Sequence, residues 1–203
     1  GSTAPSAALD VSGTGHTYIH HKSGTGNEAQ MTFYDGSTAK WSIGKKTDNT
    51  FTIHNQAAAA QVLAITAAGL VGIGETAPLG TLHVKTADSG ASVVASGDEL
   101  VVEGSTHAGI SILTGTAHSG AIYFGDSGDN DIGQIGYDHG GNSMFFVVNA
   151  AQRMTISSAG NVGIGSTAPS AALDVSGTGH TYIHHKSGTG NEAQMTFYDG
   201  STA

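Results

Sequence analysis

Histidine is concentrated in one short segment that occurs twice in the chain. Residues 16–21 read His-Thr-Tyr-Ile-His-His, and residues 180–185 repeat them. In a strand, alternate residues share one face, and imidazole rings that converge at the axis of an assembly can bind a transition metal. The candidate ligands are His16, His20, His180 and His184. Rings that are simply stacked on an exposed fibre surface explain the same letters, so we prefer the interpretation without a metal.

A second group of potential ligands consists of carboxylates in Gly-rich sequence. Carboxylate oxygens are the ligands that calcium prefers. The spacing of these residues matches neither an EF-hand nor a Gly-rich calcium repeat, so the sequence favours a solvated loop. The residues of this group are Asp126, Asp129, Asp131 and Asp138.

Two segments satisfy the dinucleotide-binding fingerprint Gly-x-Gly-x-x-Gly/Ala. They are residues 72–77 and their counterpart, residues 163–168. The fingerprint binds pyrophosphate only where a helix begins, and a proline followed by a strand-like segment leaves no helix in either copy. We therefore expect no cofactor, and we interpret the glycines and prolines as tight crossings between modules. These junction residues are Gly72, Gly74, Pro78, Gly163, Gly165 and Pro169.

Residues 125–129, Gly-Asp-Ser-Gly-Asp, are similar to the nucleophile loop of serine proteases, and residues 116–118 are similar to the segment around the protease histidine. That chemistry also needs an oxyanion hole and a buried aspartate that orients the histidine, and nothing nearby supplies them. The sequence predicts a polar turn between Phe124 and Ile132, and no catalytic residue. Trp41 has two interpretations, an exposed sugar platform or, more commonly, an anchor of the module core.

The chain is built from repeats. Residues 165–203 copy residues 1–39 letter for letter, and residues 61–74 match residues 152–165 in diverged form. A duplication made during cloning would explain the perfect copy, but the diverged copy uses the same boundary, at Val-Gly-Ile-Gly. We therefore predict one module in two versions, over residues 1–73 and 74–164, with a further module starting at residues 165–203. The natural interpretation is a section of a periodic fibre.

The composition favours a thin structure that needs partners. The 203 residues include 31 glycines and no cysteine, with 11% charged and 6% aromatic residues. So few large side chains leave a single chain little apolar area to offset its ordering entropy, which favours association of several chains. The net charge is −9 and the seven Lys and Arg residues are scattered, so we expect no nucleic-acid partner. The sequence contains no run of about twenty apolar residues, so we expect no insertion into a membrane.

Short β-branched or aromatic segments bounded by Gly, Ser, Asn and Asp predict an all-β fold. The candidate strands of the first version are residues 9–11, 17–21, 29–34, 40–43, 51–54 and 62–66. Those of the second version are residues 82–85, 92–95, 99–103, 109–113, 120–124, 133–136, 144–148 and 153–157.

Alternation within these strands assigns side chains to faces. Leu63 and Ile65 are predicted to point inward and Ala64 and Thr66 outward. Met154 and Ile156 mirror the inward pair, and we expect both pairs to line the axis of the assembly. Residues 55–61 are predicted to form a hairpin turn, with an Ala-rich helix of one or two turns as the alternative.

Four segments of the second version carry a resemblance to a known family. They are residues 120–124 (Gly-Ala-Ile-Tyr-Phe), 133–139, 143–146 and 153–170, the last containing Asn-Val-Gly-Ile-Gly-Ser-Thr-Ala-Pro-Ser. This pattern resembles the repeat that precedes the self-cleaving intramolecular chaperone domain in bacteriophage tail fibre and tail-spike proteins. The resemblance covers nearly the whole chain. Neither a chaperone domain nor an obvious receptor-binding tip is present in the sequence.

The resemblance implies an elongated, interwoven homotrimeric β-fibre on a virion. Such a fibre is a stiff shaft between the tail and a receptor-binding tip. Its partners are copies of itself and end-to-end repeats, and it meets a host surface glycan or protein only through the tip. A bacterial surface or extracellular filament, or an adhesin, built from the same repeats is the alternative. A carbohydrate-processing tail-spike needs paired carboxylates across a groove, whereas the conspicuous acids lie in Gly-rich turns, so we expect no enzyme.

Overall fold

The computed structural model describes residues 19–179 together with residues 181 and 183. Within these residues the regular structure consists of thirteen β-strands and no helix, so the predicted all-β class is confirmed. The chain divides into two compact units between Ile110 and Ser111. Each unit contains one mixed sheet, and neither sheet closes into a barrel.

The first unit is a seven-stranded sheet in which each strand pairs with its neighbours in sequence. Its strands are β1 (Ala29–Asp35), β2 (Thr38–Lys45), β3 (Phe51–Asn55), β4 (Ala60–Ile65), β5 (Val71–Ile73), β6 (Leu82–Lys85) and β7 (Leu100–Glu103). Pairing is antiparallel from β1 to β5, whereas β5, β6 and β7 run parallel to one another.

The second unit repeats this arrangement with six strands. They are β8 (Ser119–Phe124), β9 (Gly133–Asp138), β10 (Ser143–Val148), β11 (Ala151–Ile156), β12 (Val162–Ile164) and β13 (Leu173–Val175). All pairs are antiparallel except β12 with β13, which correspond to β5 and β6. The units and the sequence repeats have different boundaries, because strands that follow each Val-Gly-Ile segment pair back onto it. The module boundaries stay a prediction from the sequence.

The hairpin tip between β3 and β4 is a turn, as predicted, and not a helix. The Asn55 side-chain oxygen accepts hydrogen bonds from the backbone N–H groups of Ala57 and Ala58. These bonds offer the backbone a local alternative to helical pairing. The shorter counterpart places Asn149 and Ala150 at positive φ (55° and 54°), the conformation that a tight two-residue hairpin requires.

Strands β5 and β12 were missed by the sequence analysis, which interpreted Val-Gly-Ile-Gly only as a crossing. Glycine is required inside these strands because the chain folds back over them. A Cβ on Gly72 would lie 2.1 Å from the Glu75 carbonyl oxygen, and one on Gly163 would lie 2.3 Å from that of Ser166. Gly74 has a φ of 71°, and a Cβ there would lie 2.3 Å from the Lys85 carbonyl oxygen. The same backbone crowding therefore explains both copies of the motif.

The predicted strands at residues 92–95 and 109–113 are wrong, because both segments are irregular. Residues 19–21 are irregular too, and the rest of the predicted strand 17–21, like the predicted strand 9–11, lies outside the described residues. Ile110 and Leu113 are 67% and 89% exposed. Their sequence has strand character, but no ladder partner is found for it within the described part of the chain.

The two faces of each sheet differ in composition and in cover. One face carries small or polar residues and is buried: in the first unit Thr52, Ala64, Gly72 and His83 lie side by side across four strands. Ala64 is the one fully buried hydrophobic residue among those described, with 0% exposure. Alternate residues lie on opposite faces, but within one chain the predicted direction is reversed, because Ala64 is buried and Leu63 is half-buried. That Leu63 and Ile65 line the axis of an assembly stays a prediction. The Glu75 backbone lies over Gly72 on this face. The large residues of the other face are half-buried or exposed, and residues 21–23 lie beside one of them, Ile43.

Candidate functional site

A cluster of charged side chains lies on the covered face of the first unit, where the sheet is parallel. Glu75 follows β5, His83 and Lys85 lie in β6, and Glu103 ends β7. His83 and Lys85 are two residues apart and therefore share a face, and the register places Glu103 directly beside Lys85. Parallel pairing of β6 with β7 thus positions the cluster.

Glu103 is nearly buried and is held by the loop before β7. Its Oε1 accepts hydrogen bonds from the backbone N–H and the hydroxyl of Ser89, each at 2.7 Å. These two bonds, together with the charge of Lys85 at 3.7 Å, lower the pKa of Glu103 to about 2. Glu103 is therefore a carboxylate at neutral pH.

His83 is completely buried, with 0% exposure. Its Nδ1 accepts a hydrogen bond from the Leu79 backbone N–H at 3.3 Å. In the second unit the corresponding Asp174 accepts one from the Ser170 backbone N–H at 3.1 Å, so this position closes the proline-containing loop in both units. The His83 Nε2 lies 2.9 Å from Glu103 Oε2, but the geometry is not that of a hydrogen bond, and among the described residues neither atom has a hydrogen-bond partner.

Lys85 is the cation of the cluster. Its Nζ donates a hydrogen bond to Glu75 Oε2 at 2.5 Å and lies 3.7 Å from an Asp88 carboxylate oxygen. The hydrogen bond to Glu75 raises the pKa of Lys85, and the same bond, with the Ala77 backbone N–H, lowers the pKa of Glu75. Three carboxylates thus surround one ammonium group. A cavity of about 390 Å³, lined by Glu75, Lys85, Asp88 and Glu103, opens onto them.

Two neighbouring carboxylates beside a cavity invite comparison with a glycosidase. Glycoside hydrolysis requires that one carboxyl group keep its proton near neutral pH so that it can act as the general acid. The contacts of Glu75 and Glu103 lower both pKa values. The geometry therefore brings two carboxylates together without providing an acid.

Among the described residues, Glu75, His83 and Glu103 are the one group of three or more histidine and carboxylate ligands close enough to hold a metal ion. Of the histidines predicted from sequence, His20 is exposed, and the others lie outside the described residues. These others are His16, His180 and His184.

Of the four predicted acidic residues of the second unit, three accept backbone hydrogen bonds within their own turns, and Asp131 instead has its pKa raised by the neighbouring Asp129 side chain. Asp126 accepts backbone hydrogen bonds from Gly128 and Asp129, which lower its pKa. Asp138 accepts them from Gly140 and Gly141, with the same effect on its pKa. The protease-like segment 125–129 lies in the connection between β8 and β9, as the predicted polar turn requires. These contacts are typical of solvated turns.

The remaining predicted positions lie in the following elements, and the role of the glycines and prolines among them as module junctions stays a prediction. Pro78 is buried in the loop that precedes β6, whereas Pro169 and the two junction glycines at positive φ, Gly74 and Gly165, belong to the fold-back after β5 and β12. Trp41 is partly exposed and is the register partner of Phe33. The sequence analysis missed Glu75, His83, Lys85 and Glu103 as a group, because no local motif joins them.

Acid unfolding tests the Glu103 contacts. The pKa of Glu103 lies at about 2 in the folded chain, below its ordinary 4.5, so its carboxylate stabilises the fold fully above pH 4.5 and progressively less as the pH falls towards 2. We expect the difference in urea midpoint between the wild type and Glu103→Gln to be large at neutral pH and to vanish near pH 2. A difference that does not change with pH would show that these contacts do not depend on the charge.

No helix that is long and apolar enough to cross a bilayer occurs in the part of the chain that the structure describes. Comparison of the chain with protein-family models and with curated proteins finds no match in either case.

Proposed function

We propose that this chain is part of the shaft of a homotrimeric β-fibre, a bacteriophage tail fibre, in which it acts as a rigid spacer and not as a catalyst. The observation that supports the proposal is a partly exposed, continuous apolar face on each sheet. The number of chains and the viral setting come from the resemblance of the repeats.

The apolar face of the first unit is continuous across all seven strands. The register places one large apolar residue of each strand beside that of the next, with no polar interruption. This row, called the first apolar row, consists of Met31, Ile43, Ile53, Leu63, Ile73, Val84 and Val102. None of the seven is buried, and Met31 is 52% exposed.

The second unit repeats the row in six strands. The second apolar row consists of Ile122, Ile135, Phe146, Met154, Ile164 and Val175. A shallow apolar cleft of about 460 Å³ lies beside this row and is lined by Phe124, Ile135 and Phe146 among others. Large contiguous apolar surfaces are rare on monomeric proteins and mark sites of association.

A second copy of this chain is the partner that fits these rows best. The rows recur in each unit of the chain, so a partner that covers all of them needs apolar faces with the same repeat. Another copy has the same repeat because its sequence is identical. Complete burial of an exposed large aliphatic side chain contributes about 1.5–3 kcal/mol, and burial of a half-buried one contributes less, so two rows shared among copies enlarge the small core of each chain.

Light scattering after size-exclusion chromatography tests the proposal on the 203-residue chain. We expect a particle of three times the 20.3 kDa chain mass that persists at micromolar concentration. A particle of twice the chain mass would contradict the trimer, and a folded single chain would contradict association itself.

A further inference from the structure

We propose that Glu75, His83 and Glu103 form a binding site for one divalent transition-metal ion of the zinc class, for which the Lys85 ammonium group competes. The site lies within the first unit and does not depend on the association of chains.

The distances fit such an ion. One ligand atom from each of the three side chains lies within 4.8 Å of the other two. Tetrahedral ligands at about 2.1 Å from zinc lie about 3.4 Å apart, so small rotations of the glutamate side chains suffice. One histidine and two carboxylates leave a fourth position that faces the cavity lined by Glu75 and Glu103.

Two buried atoms without a hydrogen-bond partner point to a ligand that contacts both from one side. Buried polar atoms in proteins are nearly always hydrogen-bonded. Yet His83 Nε2 and Glu103 Oε2, both buried, face each other at 2.9 Å without a hydrogen-bond partner among the described residues. Once the ring proton has moved from Nε2 to Nδ1, a cation that accepts an electron pair from each atom satisfies both.

The charge of the cluster favours a divalent cation. Glu75, Glu103 and Asp88 carry three negative charges against the single positive charge of Lys85. The Lys85 ammonium group already occupies the space beside both glutamates. Its flexible side chain reaches the exposed Asp88, 3.7 Å away, which provides a partner when a metal ion displaces it from Glu75.

Metal binding at His83 Nε2 also requires a change of tautomer. The Nδ1 atom accepts the Leu79 N–H at 3.3 Å, which leaves the proton of a neutral ring on Nε2. A metal ion on Nε2 moves that proton to Nδ1 and breaks this long hydrogen bond. The site is therefore expected to bind zinc less tightly than one whose ligands are already arranged for it.

Calorimetric titration with Zn²⁺ alone, and the visible absorption of bound Co²⁺, test the proposal at neutral pH. Both measurements use a variant, called the background protein, in which alanine replaces the four candidate histidines of the repeated segment. Metal binding by these histidines is thereby removed. Those positions are His16, His20, His180 and His184. We expect one ion per chain, and the loss of this ion in His83→Ala and in Glu103→Gln. Asp174→Ala, at the position that corresponds to His83 in the second unit, is the matched control and should bind normally.

Lys85→Met provides the sharpest readout, because removal of the competing ammonium group should tighten Zn²⁺ binding at least tenfold. If the cluster only forms ion pairs and binds no metal, Lys85→Met should show no gain in Zn²⁺ affinity. If circular dichroism shows that His83→Ala does not fold, Zn²⁺ binding is measured on Glu75→Gln instead. This substitution preserves the size of the side chain and lies at the cavity, and it should weaken Zn²⁺ binding. The proposal is overturned if the background protein binds no ion at micromolar Zn²⁺, if His83 and Glu103 variants bind as the background does, or if Lys85→Met binds no more tightly.

Discussion

If copies of the chain associate as proposed, replacement of Ile53 by aspartate is expected to leave single chains. Ile53 lies at the centre of the first apolar row, with Ile43 and Leu63 as its register partners. An isolated carboxylate buried between apolar faces costs several kcal/mol, and each copy in the assembly carries the same penalty. The expected result is a single-chain mass by sedimentation at concentrations where the wild type is assembled.

The matched control is Ala58→Asp, which adds the same charge at the exposed tip of the hairpin that contains Ile53. It should retain the mass of the wild type. If Ile53→Asp retained that mass as well, the first apolar row would not be the contact between chains, and the main argument for the proposed fibre would fail.

Replacement of Gly72 by alanine should destabilise the fold by about 2–3 kcal/mol, the cost of forcing extra atoms into a packed site. The new Cβ would lie 2.1 Å from the Glu75 carbonyl oxygen, a backbone atom that can yield only if the turn after β5 moves. That turn also positions Glu75 against Lys85. Thermal unfolding measures the loss as a lower midpoint.

Gly109→Ala is the control for this substitution. A Cβ at Gly109 would meet no atom within 4 Å, and this glycine does not have a positive φ. We expect its free energy of unfolding to differ from that of the wild type by no more than about 0.5 kcal/mol, the range of neutral surface substitutions, and its thermal midpoint to change little. Equal midpoints for the two variants would show that the close approach at Gly72 does not constrain the fold.

The sequence analysis located strands well where large apolar residues alternate and a neighbouring segment can pair. Residues 51–54 and 82–85 are examples, and they correspond to β3 and β6. It failed at residues 109–113, because the same alternation forms a strand only where a partner is present. It also missed β5, since glycine at its centre is a poor strand former and its role depends on the carbonyl group packed above it.

The cluster of Glu75, His83, Lys85 and Glu103 could not be predicted from the sequence, for a different reason. Glu75 and Glu103 are far apart in the chain, and they come together only because β6 pairs in parallel with β5 on one side and with β7 on the other. His83 has the same local role as Asp174, closing a loop, so nothing in its immediate sequence distinguishes it as part of a cluster. The histidines that do form a sequence pattern lie elsewhere.

The sequential order of the strands has a consequence for synthesis. Each strand in both sheets pairs only with the strands next to it in the chain. Such low contact order favours rapid folding, and a sheet of this kind can form while later residues are still on the ribosome. In the proposed fibre, strands could therefore pair early within each nascent chain, and copies translated from one messenger would be near enough to complete the core together.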